Sequence, residues 1–169
     1  MKRILLSILL IGVATPCFAK AYYAGKKEMI QKAEVIAIVN ITKVQETEKK
    51  GNHWTYRQKV LGTVERCLKG NAKGEIEIYG METFICAQCR YEAGRFILFL
   101  RREKGFWVGS NWHLGIRSIA KDQVQWFKGG ENRFEMMGTP LADVVDEIGA
   151  VVKEQKKGTP NKPDAGDGK

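Results

Sequence analysis

Short alternating stretches, broken every few residues by turn formers, restrict this chain more than any other feature. Residues 53–66 place Trp54, Tyr56, Val60 and Val64 on one face, and Thr55, Arg57, Lys59, Thr63 and Glu65 on the other. That period of two predicts a long, half-solvated strand of an antiparallel sheet. Gly62 in its middle predicts a bend or bulge, the device by which a sheet curls. Residues 35–39 form a β-branched run apolar on both faces, and 40–44 continue it half-exposed. The charged stretch 46–52 ends in Gly51-Asn52, a hairpin signal. Residues 75–79 alternate again, and Phe96-Ile97-Leu98-Phe99-Leu100 is the most apolar segment and the expected centre of the core. Lys104-Gly105 turns the chain into 106–108, and 112–119 and 123–127 read as two further extended pieces. About seven strands at this spacing predict a mainly β chain, folded as a small antiparallel barrel or sandwich.

Two helices flank that body. Residues 25–33 predict a short one, with Met29, Ile30 and Ala33 together. Near the end, Thr139 reads as an N-cap and Pro140 as the first helical residue. Leu141, Val144, Val145, Ile148, Val151 and Val152 follow at helical spacing. Acids lie early and Lys153, Lys156 and Lys157 late, which suits the helix dipole. Such an apolar face predicts docking on the barrel. From residue 156 onward the chain has little to bury and reads as a disordered tail.

The first nineteen residues have a different logic. Lys2 and Arg3 precede the apolar run 4–13, and Pro16 and Ala19 close it. This is the layout of a secretory signal peptide, and the run is too short for a bilayer span of roughly 20 residues. Cleavage is expected after Ala19 or Ala21, removing Cys17. Residues 20–155 then form one domain, periplasmic or secreted, with no transmembrane helix. The formal charge of +9 falls to about +7 when Lys2 and Arg3 leave. That balance favours contact with an anionic protein or envelope partner, although simple solubility accounts for it more readily, and export makes nucleic acid an unexpected partner.

Cys67, Cys86 and Cys89 remain. Export makes them disulfide candidates, with Cys67 paired to Cys86 or to Cys89 across a loop of about 20 residues, worth roughly 3 kcal/mol. Cys86-Ala87-Gln88-Cys89 also has redox CxxC spacing, but no useful helix follows to lower a thiol pKa. Zinc held by the three cysteines and His113 is a third arrangement of suitable ligand types. His53, Ser110, Glu75 and Glu77 lack catalytic partners, so no catalytic residue, metal or cofactor is expected. The four tryptophans and several basic residues have the makings of a stacking groove, although core packing accounts for them as well.

Lys32-Ala33-Glu34-Val35-Ile36-Ala37-Ile38-Val39 is similar to the opening strand of the netrin-like module. Residues 60–70, ending Glu65-Arg66-Cys67-Leu68-Lys69-Gly70, resemble its second conserved stretch. Cys86 or Cys89 followed by 94–100 resembles its cysteine-to-strand segment, and Trp107 and 115–119 fit the same pattern. The module occurs in tissue inhibitors of metalloproteinases and in exported bacterial proteins. The resemblance, over residues 32–119, implies an OB-fold barrel. In those inhibitors an N-terminal cysteine chelates the target's zinc. A mature chain beginning at Lys20 or Tyr22 has no such residue. The function expected is a non-enzymatic exported binding module, the alternatives being a thiol-redox or metal-binding protein and a protease inhibitor acting through another surface.

Overall fold

Strand β1 (Val35–Lys50) is hydrogen-bonded on both sides at its start and on one side at its end. The computed structural model describes residues 23–83, 88–128 and 135–158. The first half of β1 pairs antiparallel with β4 (Gly94–Glu103) from Val35↔Leu100 to Ile41↔Gly94. Its other edge pairs with β2 (Thr55–Lys69) along the whole strand. A register shift falls between Ile41 and Lys43, opposite Gly62 and Leu61, so Thr42 is the extra residue. A Cβ on Gly62 would lie 2.7 Å from Val39 Cγ1 and 2.9 Å from Asn40 O. The bend expected at Gly62 is therefore shared: Thr42 supplies the bulge, and glycine permits the close approach.

β2 pairs with β3 (Gly74–Glu82), β3 with β5 (Phe106–Gly109), and β5 with β4. These pairings lead back to β1 and make a partial ring of five strands. The seam is β3–β5, where only Ile78↔Trp107 and Tyr79↔Val108 pair, and in parallel. The expected all-antiparallel barrel is thus corrected at that seam. From β4 a second ladder continues through β6 (Ile116–Ala120), β7 (Gln123–Phe127) and β8 (Met136–Pro140).

The apolar faces divide into two layers. Val35, Ala37, Val39, Val60, Ile78, Leu98 and Leu100 fill the ring, together with Cys89 and Tyr91. Ile36, Ile38, Ile97 and Phe99, the alternate residues of the same two strands, face outward under both helices. That arrangement explains why 35–39 and 96–100 are apolar on both faces. Helix α1 (Lys26–Lys32) contributes Met29 and Ile30, and α2 (Leu141–Gly158) contributes Val144, Val145 and Ile148. The late helix covers the side of the ring. Fully burying one such aliphatic side chain is worth about 1.5–3 kcal/mol, so this layer holds α2 in place. Two ion pairs, Lys26–Glu147 and Lys27–Glu154, join the helices, and Trp126 Nε1 donates to Glu147 Oε2 at 2.7 Å.

Several expectations need correction. Thr139 and Pro140 belong to β8, paired with Val124 and Gln123, and the helix starts at Leu141, whose N–H donates to Asp122 O at 2.8 Å. Pairing with β7 takes the backbone that an N-cap would have used. Residues 112–115 form a 3-10 turn instead of strand, and β1 runs through the charged segment to Lys50, because β2 pairs with it there. There are eight described strands, not seven. α2 runs to Gly158 and includes the late Lys153, Lys156 and Lys157, as expected. The proposed signal peptide and residues 159–169 lie outside the described residues. No described helix is long and apolar enough to cross a membrane.

Candidate functional site at the mouth of the ring

The β1–β2 loop and the β4–β5 turn meet at Glu103. Its carboxylate accepts the Asn52 N–H at Oε1 (2.6 Å), and Tyr56 Oη (3.0 Å) and Arg101 Nη1 (2.9 Å) at Oε2. Lys104 Nζ donates to Gly51 O at 2.8 Å across the same junction. Lys104 (φ 47°) and Gly105 (φ 85°) form a two-residue hairpin loop with both φ positive, which matches the twist of the strands. Burial alone would raise the Glu103 carboxyl, but Asn52, Tyr56 and Arg101 together hold it below the ordinary carboxylate value. Two loops that are usually mobile are here tied to one buried acid.

Aromatic rings line this junction. Phe106 stands edge-on to Tyr56 (5.7 Å) and Tyr79 (5.0 Å), and Trp54 stands edge-on to Trp112 (5.7 Å). Lys49 Nζ lies 5.2 Å from the Phe106 centroid and 5.6 Å from that of Tyr79. Trp54, Phe106 and Trp112 are each half-buried. Beside them opens a cleft of about 170 Å³, lined by Ala24, Glu82, Arg101, Ser110, Asn111 and Trp112 among others.

Glu82 is 3% exposed and its Oε2 accepts the Cys89 N–H at 2.8 Å. Burial pushes its carboxyl up, and the Cys89 amide and Arg101 offset part of that rise. Cys89 is fully buried; desolvation, and then the charge of Glu82, push its thiol well up. Its carbonyl accepts the Met81 N–H. Gln58 clasps the next turn of chain, accepting Tyr91 N–H (3.0 Å) and donating to Tyr91 O (3.3 Å). Tyr91 Oη is buried without a well-formed hydrogen bond among the described residues. A protonated, sealed thiol is a poor nucleophile.

Of the three candidate cysteines, the two described ones, Cys67 and Cys89, are not brought together. Cys67 is free and half-buried, its Sγ donating to Lys69 O at 3.1 Å. Cys89 packs against Gly80, the residue paired with Gln58, nine positions along β2 from Cys67. The expected Cys67–Cys89 bridge is therefore not formed. Cys86 lies outside the described residues, and with it the Cys67–Cys86 alternative. His113 stands edge-on to Tyr23 at 5.4 Å, with its imidazole held low by burial and by Arg117. No group of three potential ligands among the described residues is placed to hold a metal.

Of the other residues singled out, Ser110 lines the cleft and Glu77 accepts Lys59 (2.6 Å) and Tyr79 Oη (2.5 Å). Glu75 and His53 are exposed. Glu82, Arg101, Glu103 and Asn111 were not foreseen. For Glu82 the signal was present: Ile76, Ile78 and Gly80 face inward, and period two continues to 82. Comparison with protein-family models and with curated proteins finds no match.

Proposed function

We propose that this chain is an exported, non-enzymatic binding module whose partner docks on the aromatic mouth of the ring. The observation that carries the reading is the Glu103 junction, which fixes both loops so that half-buried Trp54, Phe106 and Trp112 are presented on one rigid edge. Preorganised aromatics lose little entropy on binding, and tryptophan and tyrosine dominate interface hot spots. The net positive charge, +9 for the full chain and about +7 once Lys2 and Arg3 are removed, favours an anionic protein or envelope component. The netrin-like resemblance supports the same reading: its motif residues fall on β1, the end of β2 and β4, the strands that carry these loops.

The test is retention of an envelope component by the purified mature chain, compared with the Trp54→Ala/Trp112→Ala variant. The partner should bind the unmodified chain, weaken at least tenfold with the variant, and be unaffected by Lys156→Ala on the far helix. Equal retention by all three chains would rule out the mouth as the docking edge.

A further inference from the structure

The 3-10 turn at 112–115, with Asn111 before it, holds the start of the domain at two adjacent points. The Ala24 N–H donates to Asn111 Oδ1 (2.7 Å), and the Ala24 carbonyl accepts from Asn111 Nδ2 (3.1 Å). Tyr23 packs edge-on to the His113 ring, with centroids 5.4 Å apart. Asn111 keeps this pose at φ 65°, in the left-handed region that asparagine tolerates better than most residues. Ala24 is buried and lines the cleft together with Trp112, so residues 23–24 form a strap along one wall of it.

Under that turn lies a buried cation. Arg117 is 6% exposed; its Nη2 donates to the His113 carbonyl (2.5 Å), its Nη1 to Met136 Sδ (3.2 Å), and its guanidinium lies 5.6 Å from the Phe127 ring. Nε is buried without a hydrogen bond, and no carboxylate pairs with the group among the described residues. A second positive charge beside it therefore meets repulsion that no counter-ion offsets. His113 is where that charge would appear. It is exposed enough for a proton to reach it without unfolding, and the chain's other histidine is His53, in the β1–β2 loop. The titratable groups set against His113 among the described residues are Arg117, from β6, and Tyr23, from the segment before α1. β4 and the residue after β5 meet the turn at Gly115 through Phe99 and Ser110, which carry no charge.

We propose that residues 23–24 are an acid-released strap: a proton taken up by His113 breaks the Tyr23 contact, frees Ala24 from Asn111 and widens the cleft beside Trp112. With the strap closed, burial and then Arg117 hold the imidazole below its ordinary value of 6.5. With it released, water surrounds the ring and the value returns toward 6.5. The closed form is therefore fully favoured above about 6.5 and loses that advantage as pH falls through the lower, closed-strap value. The ratio of released to closed chains rises by up to tenfold for each unit between the two values. The release does not depend on what binds at the mouth; that it admits a partner rests on the docking reading.

The experiment follows the purified chain by NMR from neutral to mildly acidic pH. It reads the His113 ring titration and the hydrogen-exchange protection of the Ala24 amide, corrected for the intrinsic rate. His113 should titrate below 6.5, and Ala24 should lose protection in step with it while the β4 amides keep theirs. His113→Phe retains an edge-on ring that takes no proton, so Ala24 protection should become flat with pH. His53→Gln should leave the loss unchanged, and Asn111→Gly should leave Ala24 unprotected at every pH, marking the released state. Arg117→Met is an independent arm: His113 should move up toward 6.5 and the pH-dependent loss should shrink. An Ala24 amide that stays protected through the His113 titration, or opens equally in His113→Phe, would overturn the proposal. Loss of protection at Ala24 and in β4 together would also overturn it, as that is acid unfolding of the whole domain. These readings involve no partner, so they succeed or fail apart from the docking test.

Discussion

Tyr56 and Glu103, 47 residues apart in sequence, share a buried hydrogen bond of 3.0 Å that fixes the width of the mouth. Glu103 also accepts from Asn52 and Arg101, so three donors depend on one carboxylate. Gly51 has to be glycine beside it, since a Cβ there would run into Glu103 Oε1 and lie 2.7 Å from the Tyr56 ring. Glu103→Gln keeps the shape but weakens every one of these bonds. It should cost about 1.5–3 kcal/mol at neutral pH, the range for hydrogen bonds to a charged group. The folded pKa is depressed, so this stabilisation is present above the unfolded value of about 4.3 and is lost as pH falls through the lower folded value. Urea midpoints measured at pH 7 and pH 3 should therefore differ less in the variant than in the unmodified chain. An unchanged difference would show that Glu103 is not the group responsible.

Cys89 is seated on two glycines. A Cβ on Gly109 would run into Cys89 Sγ and lie 3.0 Å from Tyr91 Oη, and a Cβ on Gly80 would lie 2.5 Å from Cys89 O. Gly109→Ala should destabilise by about 1–3 kcal/mol through overpacking. In a Cys89→Ala background the same change should cost less, because the colliding sulfur is gone while Tyr91 remains. The coupling energy from the double-mutant cycle should be at least about 1 kcal/mol, within the span seen for residues in contact. Strictly additive costs would mean that the 88–91 segment is not held against β5 in solution.

The same seat governs thiol reactivity. In a Cys86→Ala chain, Cys67, half-buried at the end of β2, should react with a small disulfide reagent well before Cys89. Cys89 should be labelled only as fast as the protein opens, since its thiol is sealed and held protonated by burial and by Glu82. Rapid labelling of Cys89 under native conditions would favour the redox reading of the CxxC.

The strands were legible where pattern and burial obey one rule. The two-sided apolar runs at 35–39 and 96–100 announced strands buried on both faces, and the structure places them between the ring interior and the helices. The end of β1 was not legible, because Gln45 to Lys50 carry loop composition and owe their extended form to pairing with β2. Thr139-Pro140 shows the converse: a strong local cap signal yielded to a ladder with β7. The polar site was least visible. Arg101 and Glu103 share a strand with the most apolar segment, but Asn52 and Tyr56 reach them only when the sheet has curled. Residues 47–51 apart in sequence leave no local period to read.

Tyr79 offers a titration that isolates one contact of the aromatic edge. Its hydroxyl donates to Glu77 at 2.5 Å, and that bond, then burial, then the charge of Glu77, push the phenol up to about 12. Glu77 is held low in turn by Lys59 and by Tyr79. The neutral phenol is the form the fold favours. Its contribution is therefore complete below the unfolded value of about 10 and fades as pH rises through about 12. Glu77→Ala removes the acceptor, so the Tyr79 phenol should move back toward 10 in an ultraviolet titration. Tyr79→Phe identifies the signal by deleting it. The stability lost with Glu77→Ala should be about 1 kcal/mol, the size of one net hydrogen bond. A titration curve unchanged by Glu77→Ala would mean that the Tyr79 hydroxyl is not bonded there and that the Phe106–Tyr79 edge is free to move.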